Sequence, residues 1–278
     1  MSGAARREAT GLFGPGSVSW RVDRELLVLA GGSCALLMQA AHPSVAAGVV
    51  EHSTYAADPF GRLFRTLESS FSVVFGSRSE AERTIRRVNA IHAAVRGMRP
   101  DGQPYSALDP EALLWVHATL VDTALRVFRR FVAPLSVAEE QRYHEESASV
   151  AVALGVPSAT IPPTIAELRA WMSARVASGD IHVTPGARKV ARTVLYPSRV
   201  LPRVAWDAAH VISLATLPDP IRRGYGIGWS VERERGVERI ARTTRAVLPL
   251  VPGPLRFAPH ARAAQRRVAA AGVSRSPS

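Results

Sequence analysis

The sequence of 278 residues predicts an all-α fold: a single orthogonal multi-helix domain of about ten helices. Three observations lead to this prediction. Apolar residues recur with a period near 3.6 from Asp23 onward, residues that start or stop helices occur throughout, and no strand-like alternation recurs. A repeat of about 20 to 50 residues is also missing, which argues against a solenoid.

The chain divides into three parts by composition. Residues 1–19 are expected to be a loose segment, because they end in the turn-rich run Gly14-Pro15-Gly16-Ser17. Residues 20–248 are expected to form the helical domain. Residues 249–278 form a basic tail rich in proline and arginine, which we interpret as a peripheral helix that frays and lies outside the core.

In the first half of the domain, each predicted helix begins at a residue suited to a helix N-terminus. Asp23 is a candidate cap, Pro43 and Asp58-Pro59 place a proline in the first turn, and Ser79 with Glu82 has the spacing of a capping box. Gly76 and Gly97 are expected to end helices. The predicted ranges are 23–41, 43–53, 60–75 and 79–95.

The second half shows the same signals. Asp109 precedes a proline, and Ser136 with Glu139 and Thr164 with Glu167 have capping-box spacing. The predicted ranges are 110–132, 136–154, 164–177, 185–195, 203–217 and 232–248, with a short helix and turn over 218–229.

The charge balance is strongly basic, with 35 basic residues, a single lysine at Lys189 and a net charge of +12. A positive surface potential suits nucleic acid, anionic membrane lipid or an acidic small molecule. A solvated basic surface is the alternative interpretation. No helix-turn-helix with a credible recognition helix is present, so no nucleic-acid partner is expected.

The sequence favours a cytoplasmic protein with peripheral membrane contact as an additional expectation. Cys34 is the only cysteine, so an internal disulfide is excluded, and its apolar neighbours indicate a buried, inert thiol. The first residues lack the apolar stretch of a signal peptide. The segment Leu26–Val50 is long and nearly uncharged, but Gln39, His42 and Pro43 interrupt it, which favours a buried core helix followed by a second short helix.

One predicted helix face carries a candidate metal ligand. Ile85, Val88, His92 and Val95 are spaced by three and four residues and share a face that is apolar apart from His92. Such a histidine is usually a core residue bonded to a backbone carbonyl, and a ligand role is the alternative. Arg96, four residues further along, could reach a carboxylate held nearby.

The preceding helix carries a polar stripe at i, i+3, i+4 and i+7, made of Arg62, Arg65, Thr66 and Ser69. A stripe of this kind is normally the solvent face. If it lines a cavity instead, it supplies positive charge and hydrogen-bond donors for an anionic ligand or a bound oxygen species.

Further histidines occur at His42, His52 and His117, and the last of these shares an apolar face of its helix. The motifs of zinc peptidases and di-iron bundles are missing, as are a phosphate-binding loop and a nucleophile elbow. Covalent cytochrome c attachment needs two cysteines and is excluded. A single neutral histidine opposite a polar group therefore fits non-covalent haem b best among the metal options.

Several motifs, in order, resemble a bacterial and fungal family that includes the rubber oxygenases (latex-clearing proteins) and the mycophenolic-acid-pathway oxygenase. The resemblance spans most of residues 15–230. It is carried by Ala41-His42-Pro43, Val45-Ala46-Ala47-Gly48-Val49, His52-Ser53, Arg62-Leu63-Phe64-Arg65-Thr66, Phe75-Gly76, His92-Ala93-Ala94-Val95-Arg96-Gly97, Tyr105, Trp115-Val116-His117-Ala118-Thr119-Leu120, Leu217-Pro218, Ile221-Arg222, Tyr225-Gly226 and Trp229.

The resemblance implies an all-α oxygenase with a buried haem b pocket, acting with dioxygen on an apolar, unsaturated substrate. It implies that His92 is the axial ligand and that Arg65 and Thr66 orient distal oxygen, while Arg62 and Arg96 pair with haem propionates. His117 and His42 would then be supporting or packing residues.

The distal motif of the rubber oxygenases reads Arg-x-x-Lys-Thr, and Arg65 stands here in place of its lysine. A neutral lysine can ligate iron, whereas a guanidinium stays charged and has no lone pair to donate. The functional alternative is a non-enzymatic haem- or lipid-binding helical module that contacts an anionic membrane through Arg256 to Arg267.

Overall fold

A computed structural model describes residues 3–53, 58–198, 200 and 202–272. The described residues form α-helices and one two-stranded sheet, which confirms the all-α prediction. The α-helices are α1 (Gly3–Thr10), α2 (Val18–Asp23), α3 (Gly32–Ala40), α4 (Pro43–His52), α5 (Pro59–Phe75), α6 (Arg78–Ala94), α7 (Pro110–Val127), α8 (Val137–Ala153), α9 (Ile165–Ala177), α10 (Pro185–Leu195), α11 (Arg203–Ala209), α12 (Val211–Thr216), α13 (Asp219–Gly224), α14 (Val231–Val247), α15 (Gly253–Arg256) and α16 (Pro259–Ala270).

Most of the predicted helix starts are confirmed by the capping hydrogen bonds. The Asp58 carboxylate accepts from the backbone N–H of Gly61 at 2.8 Å, and Asp109 caps α7 in the same way. Ser136 and Glu139 form a complete capping box at the start of α8. These caps satisfy N–H groups that have no partner within the helix, so each fixes where its helix begins.

The capping box of α6 lies two residues earlier than predicted. Ser77 and Glu80 form it, with the Ser77 hydroxyl accepting from Glu80 N and the Glu80 carboxylate accepting from Ser77 N. The same Ser-x-x-Glu spacing occurs twice in succession here. The earlier copy is used because Gly76 has already left the α5 helix with an extended backbone, so Ser77 is the first residue available to cap.

The prediction of one continuous helix from Asp23 to Ala41 is wrong, because the structure divides this stretch into several shorter helices. Asp23 is the last residue of α2, a short 3-10 helix covers Leu26–Gly31, and α3 follows. The Asp23 carboxyl accepts from the Tyr143 hydroxyl at 2.9 Å, and burial raises the pKa of Asp23 to about 7. This side chain points into the core instead of capping a helix.

No single helix in the described ranges has both the length and the apolar character needed to cross a bilayer. The stretches Leu26–Ala40 and Pro43–His52 meet the length and composition criteria only when taken together, and a bend of 105° separates them. Pro43 lies at this bend, as the sequence indicates.

The main core surrounds α7, which packs against α3, α8 and α9. Trp115 of α7 is fully buried, and its indole N–H donates to the Met38 carbonyl at 2.9 Å. Arg169 of α9 bonds two buried carboxylates, Asp122 at 2.8 Å and Glu140 at 2.6 Å. This ion network joins three helices around the core.

A small hairpin follows α6 and was not predicted. Strands β1 (Arg96–Met98) and β2 (Pro104–Ser106) pair antiparallel, with Gly97 opposite Tyr105. A Cβ on Gly97 would lie 2.8 Å from the Tyr105 hydroxyl, so the close approach requires glycine. Three-residue strands are too short to show alternation in a sequence.

Both ends of the chain are more ordered than predicted within the described residues. The expected loose N-terminal segment contains α1, and the tail contains α16, whose Ala261, Ala264 and Val268 are buried. The interpretation of the tail as lying outside the core is therefore wrong. Residues 1–2 and 273–278 of these segments lie outside the described ranges.

The packing of α16 explains this error. Its small residues pack against Trp20 of α2 and Phe75 of α5, and the Arg267 guanidinium donates to the carbonyls of Ala9 and Phe75 at 3.0 and 2.6 Å. Small residues spaced along a basic helix give a weak periodic signal, so the buried face depends on partners that are distant in sequence.

Candidate functional site

The helices α5 and α6 form an antiparallel hairpin, with Gly76 and Ser77 as the connection. The pairing places the start of α5 beside the end of α6. Midway along, Arg87 of α6 donates to the Ser69 hydroxyl of α5 at 3.1 Å. Arg62, near the start of α5, is close enough to His92 for its charge to affect the pKa of that imidazole. We call this end of the two helices the open end of the hairpin.

His92 is only half-buried, in contrast to the fully buried position predicted for it. Burial, and then the charge of Arg62, lower the pKa of His92, so the imidazole is neutral at pH 7. Its Nδ1 atom is buried and has no hydrogen-bond partner. The alternative of a core histidine satisfied by a backbone carbonyl therefore finds no support at this nitrogen.

The polar stripe on α5 is present as predicted and lies at the open end. The Arg62 guanidinium bonds the Thr66 hydroxyl one turn away, and its Nε donates to the Ser53 hydroxyl at 3.3 Å. Arg65 pairs with Asp58 at 3.2 Å, and both side chains are more than half exposed. The stripe presents two guanidinium groups and a hydroxyl beside a neutral imidazole.

Arg96 does not extend the His92 face of α6, because that helix ends at Ala94. Val95 is extended, with φ −91° and ψ 99°, and the chain enters β1. Arg96 is exposed in that strand, and its backbone carbonyl accepts from His52 Nε2 at 3.2 Å. The prediction that Arg96 and His92 share a helix face is wrong, although each residue lies two positions from Ala94, the last residue of α6.

The structure adds two residues to the predicted set. Ser53, just beyond α4, accepts from Arg62, and Asp58, the cap of α5, pairs with Arg65. Asp58 could have been found from its spacing of seven residues from Arg65, which places them two turns apart. No signal in the sequence connects Ser53 with Arg62, since the chain between them does not follow a helix.

The open end also exposes large apolar side chains. The exposed fractions are 67% for Phe64, 57% for Ile91, 47% for Phe60 and 41% for Leu63. These side chains lie at the opposite end of α5 from the buried Phe75. Apolar surface concentrated in one place marks a site that binds another molecule.

His117 of α7 lies in a different region of the fold. Its Nε2 atom is buried without a hydrogen-bond partner, and burial together with the nearby His144 lowers its pKa to about 4. His144 is fully buried and bonds the Pro162 carbonyl through Nε2 at 2.7 Å. These two histidines belong to the contact of α7 with α8.

His42 caps the N-terminus of α4, where its Nδ1 accepts from Ser44 N at 3.2 Å. Burial lowers the pKa of His42 to about 4. His52 is the last residue of α4, ten positions after His42, so the backbones of the two residues lie ~15 Å apart along the helix axis. His42 therefore has a structural role at the far end of α4.

The residues at the open end fit a haem. A haem needs a neutral imidazole as ligand, apolar surface for its macrocycle and cations for its propionates. His92 supplies the first, Ile91, next to it in sequence and 57% exposed, contributes to the second, and Arg62 supplies the third. No group of three or more His, Cys, Asp or Glu suited to a metal ion occurs in the described part of the chain.

A comparison with protein-family models gives an independent assignment. Residues 20–246 match the family described as ER-bound oxygenase mpaB/B'/Rubber oxygenase, catalytic domain. No curated protein and no solved structure matched the chain. The match includes α5, α6 and the open end of their hairpin, and it agrees with the resemblance in the motifs. The chain belongs to the mpaB and rubber oxygenase catalytic-domain family.

Proposed function

We propose that the protein is a haem b-dependent oxygenase that acts on an apolar, unsaturated substrate, with His92 as the iron ligand. The family is one of oxygenase catalytic domains, which supports the reaction class. The observation that carries the proposal is the neutral His92 imidazole beside Arg62, with a buried Nδ1 that has no hydrogen-bond partner, at the end of α6 where Ile91 is 57% exposed. Haem supplies a redox-active iron at which dioxygen can bind and react.

Arg62 performs two tasks in this proposal. Burial lowers the pKa of His92 most, and the charge of Arg62 lowers it further, so the imidazole nitrogen remains available as a ligand at neutral pH. The Arg62 guanidinium also provides donors for a propionate carboxylate, which an arginine binds in a bidentate manner. Arg96, exposed on β1, is the second candidate for a propionate.

Arg65 and Thr66 are proposed to orient dioxygen and substrate next to a bound haem. Arg65 is held by Asp58 at 3.2 Å, and Thr66 by its bond with Arg62. The Arg65 guanidinium could donate hydrogen bonds to dioxygen, whereas it has no lone pair with which to ligate iron as a neutral lysine can.

The substrate is proposed to be apolar because the site offers apolar surface beyond the charged stripe. Phe64 and Ile91 are both more than half exposed at the open end. Burying such side chains against a hydrocarbon contributes about 25 cal/mol for each Å² removed from water. A polar substrate would gain nothing from these contacts.

We also propose that the protein works in the cytoplasm. The thiol of Cys34 is fully buried, and burial raises its pKa to about 12. Such a thiol is inert at neutral pH and needs no oxidising compartment.

The experiment is oxygen uptake by the haem-loaded protein with an olefinic lipid, compared with the saturated lipid of the same chain length. Uptake with the olefin alone is expected, and Arg65→Ala should lower its rate at least tenfold while keeping the haem. Arg188→Ala, at an exposed arginine on α10, is the control. Equal uptake with both lipids, or no uptake with either, would contradict the proposal.

A further inference from the structure

An apolar segment projects from the end of α14. Residues 246–255 contain ten consecutive residues without a charge, between Arg245 and Arg256. Within this apolar loop, as we call residues 246–255, Leu250 is 81% exposed, Leu255 73% and Val247 49%. Large aliphatic side chains exposed to this extent, and so close together, gain nothing from the protein's own core.

The apolar loop is held in place at both of its ends. Leu248 is half-buried and packs against the main core. At the other end, Arg256 forms an ion pair with Glu25 at 2.7 Å, and the Glu25 side chain is 1% exposed. A buried ion pair of this kind fixes the segment in one position, so the exposed leucines are presented by a supported turn.

A cavity of about 390 Å³ begins two residues after Leu255. Its walls combine aromatic rings with three arginines. The Arg24 guanidinium lies 4.4 Å from the centre of the Phe257 ring, and the Nε of Arg262 is buried without a hydrogen-bond partner. The lining residues are Trp20, Arg24, Phe257, Ala261, Arg262, Gln265 and Arg266. Guanidinium groups beside aromatic rings suit a phosphate that is attached to an apolar group.

The last turns of α14 add exposed cations on the other side of the apolar loop. Arg239, Arg242 and Arg245 are all exposed. The segment is therefore an apolar tip with arginines before and after it, in a protein whose net charge is +12. A second copy of this chain carries the same positive charge and would be repelled.

We propose that the apolar loop inserts into the interface of a membrane that contains anionic lipid, and that Arg262 and Arg266 bind the lipid phosphates. Partly inserted aliphatic side chains and cationic contacts together give reversible attachment, where either alone is weak. Leu250, Leu255 and the two arginines that bind phosphate lie beyond the oxygenase match, which ends at 246, and the inference does not depend on haem binding.

This proposal changes the membrane contact expected from the sequence, which was Arg256 to Arg267. The two arginines at the limits of that range point into the protein: Arg256 bonds Glu25, and Arg267 bonds the carbonyls of Ala9 and Phe75. Of the expected membrane contact, Arg262 and Arg266 in the cavity remain. Leu250 and Leu255 join them, and a search for basic residues alone does not find these leucines.

The test is co-sedimentation of the full-length protein with vesicles of phosphatidylcholine, with or without a third of phosphatidylglycerol. The wild type is expected to pellet with the anionic vesicles and to be released at high salt. Leu250→Glu combined with Leu255→Glu should weaken binding at least tenfold, because two inserted side chains become anionic. Val204→Glu, at a 73% exposed valine of α11, is the matched control and should bind as the wild type does.

The arginines are tested separately, with circular dichroism to show that each variant is folded. Arg262→Gln and Arg266→Gln should each weaken binding to anionic vesicles about fivefold, since a cation near such a surface contributes about 1 kcal/mol. Inorganic phosphate at matched ionic strength should not release the protein. Equal binding of the leucine variant and the wild type, or release by phosphate but not by chloride, would overturn the proposal.

Discussion

The core around α7 and the open end of the α5–α6 hairpin use histidine in opposite surroundings. In the core, His144 is fully buried and bonds the Pro162 carbonyl, and His117, half-buried and without a partner at Nε2, lies next to it. At the open end, His92 is half-buried, has no partner at Nδ1 and lies beside Arg62, and the neighbouring Ile91 is exposed. Burial lowers the pKa of both His117 and His92, but only the open end exposes large apolar side chains that another molecule could cover.

The difference teaches that burial is a poor guide to the functional histidine in this fold. His117 has the more strongly lowered pKa, and its cause is packing within the core. His92 is distinguished by what surrounds it: a cation, a hydroxyl and apolar side chains that face solvent. A functional site built on a helical scaffold is found from this combination.

Replacing an aromatic side chain should give the largest difference between the two regions in the free energy of unfolding that is lost. Trp115→Ala removes a fully buried ring and a hydrogen bond to Met38, and it should lower the free energy of unfolding by about 3–5 kcal/mol. Phe64→Ala, at a 67% exposed ring, should change it by less than about 0.5 kcal/mol. Urea unfolding of the haem-free protein measures both. A large loss for Phe64→Ala would mean that the open end is part of the core.

Breaking an ion pair should give the next largest difference between the two regions in the free energy of unfolding that is lost. Arg169→Gln leaves the buried Asp122 and Glu140 with only Arg126 and Arg129, and should cost about 3 kcal/mol of unfolding free energy. Arg65→Gln breaks an exposed pair with Asp58 and should cost less than about 1 kcal/mol. Urea unfolding is again the measurement. Equal losses would show that the open end is as desolvated as the core.

The pH dependence of stability should identify the core histidine. The pKa of His117 is lowered to about 4 in the folded protein, against about 6.5 when unfolded. The unfolded chain alone therefore binds this proton between these values, so stability falls as the pH falls from 6.5 towards 4. At pH 5 the contribution of His117 to this loss, relative to pH 7, should be about 2 kcal/mol. His42, whose pKa burial also lowers to about 4, adds a similar contribution that a change at His117 leaves in place.

His117→Gln should remove that part of the pH dependence, which urea unfolding at pH 7 and pH 5 measures. His182→Gln, at an exposed histidine, is the control and should retain it. If His117→Gln loses as much stability on acidification as the wild type, the imidazole is not held neutral by the core.

The smallest expected effect is a change in the pKa of His92 at the open end. Arg62→Gln removes a nearby positive charge, so the pKa of His92 should rise towards its ordinary value. NMR titration of the imidazole in the haem-free protein measures this pKa. Arg78→Gln, at the far end of α6, should leave it unchanged. No change for Arg62→Gln would mean that its guanidinium does not lie near His92 in solution.

Much of the fold could be predicted from local signals. Asp58, Asp109 and Ser136 begin their helices where the sequence places them, because a cap is an interaction within a few residues. The stripe of Arg62 and Thr66 was also predictable, since it depends only on helical periodicity. The predicted position of the α6 capping box was wrong, because the Ser-x-x-Glu spacing occurs twice in this stretch.

The remaining features depend on contacts distant in sequence. The buried face of α16 exists only against Trp20 and Phe75, and the break after Asp23 depends on Tyr143. The position of Arg96 depends on β1 pairing with β2. None of these partners is within reach of a local pattern, so the sequence predicted the site's helices but not the degree of burial of His92.

The most direct test of the account is the absorption spectrum of the protein purified after expression with ample haem supply. The wild type should show a Soret band, His92→Ala should lose it, and His117→Ala should keep it at equal folded concentration. A Soret band that survives in His92→Ala and disappears in His117→Ala would contradict the central claim, as would a colourless wild type.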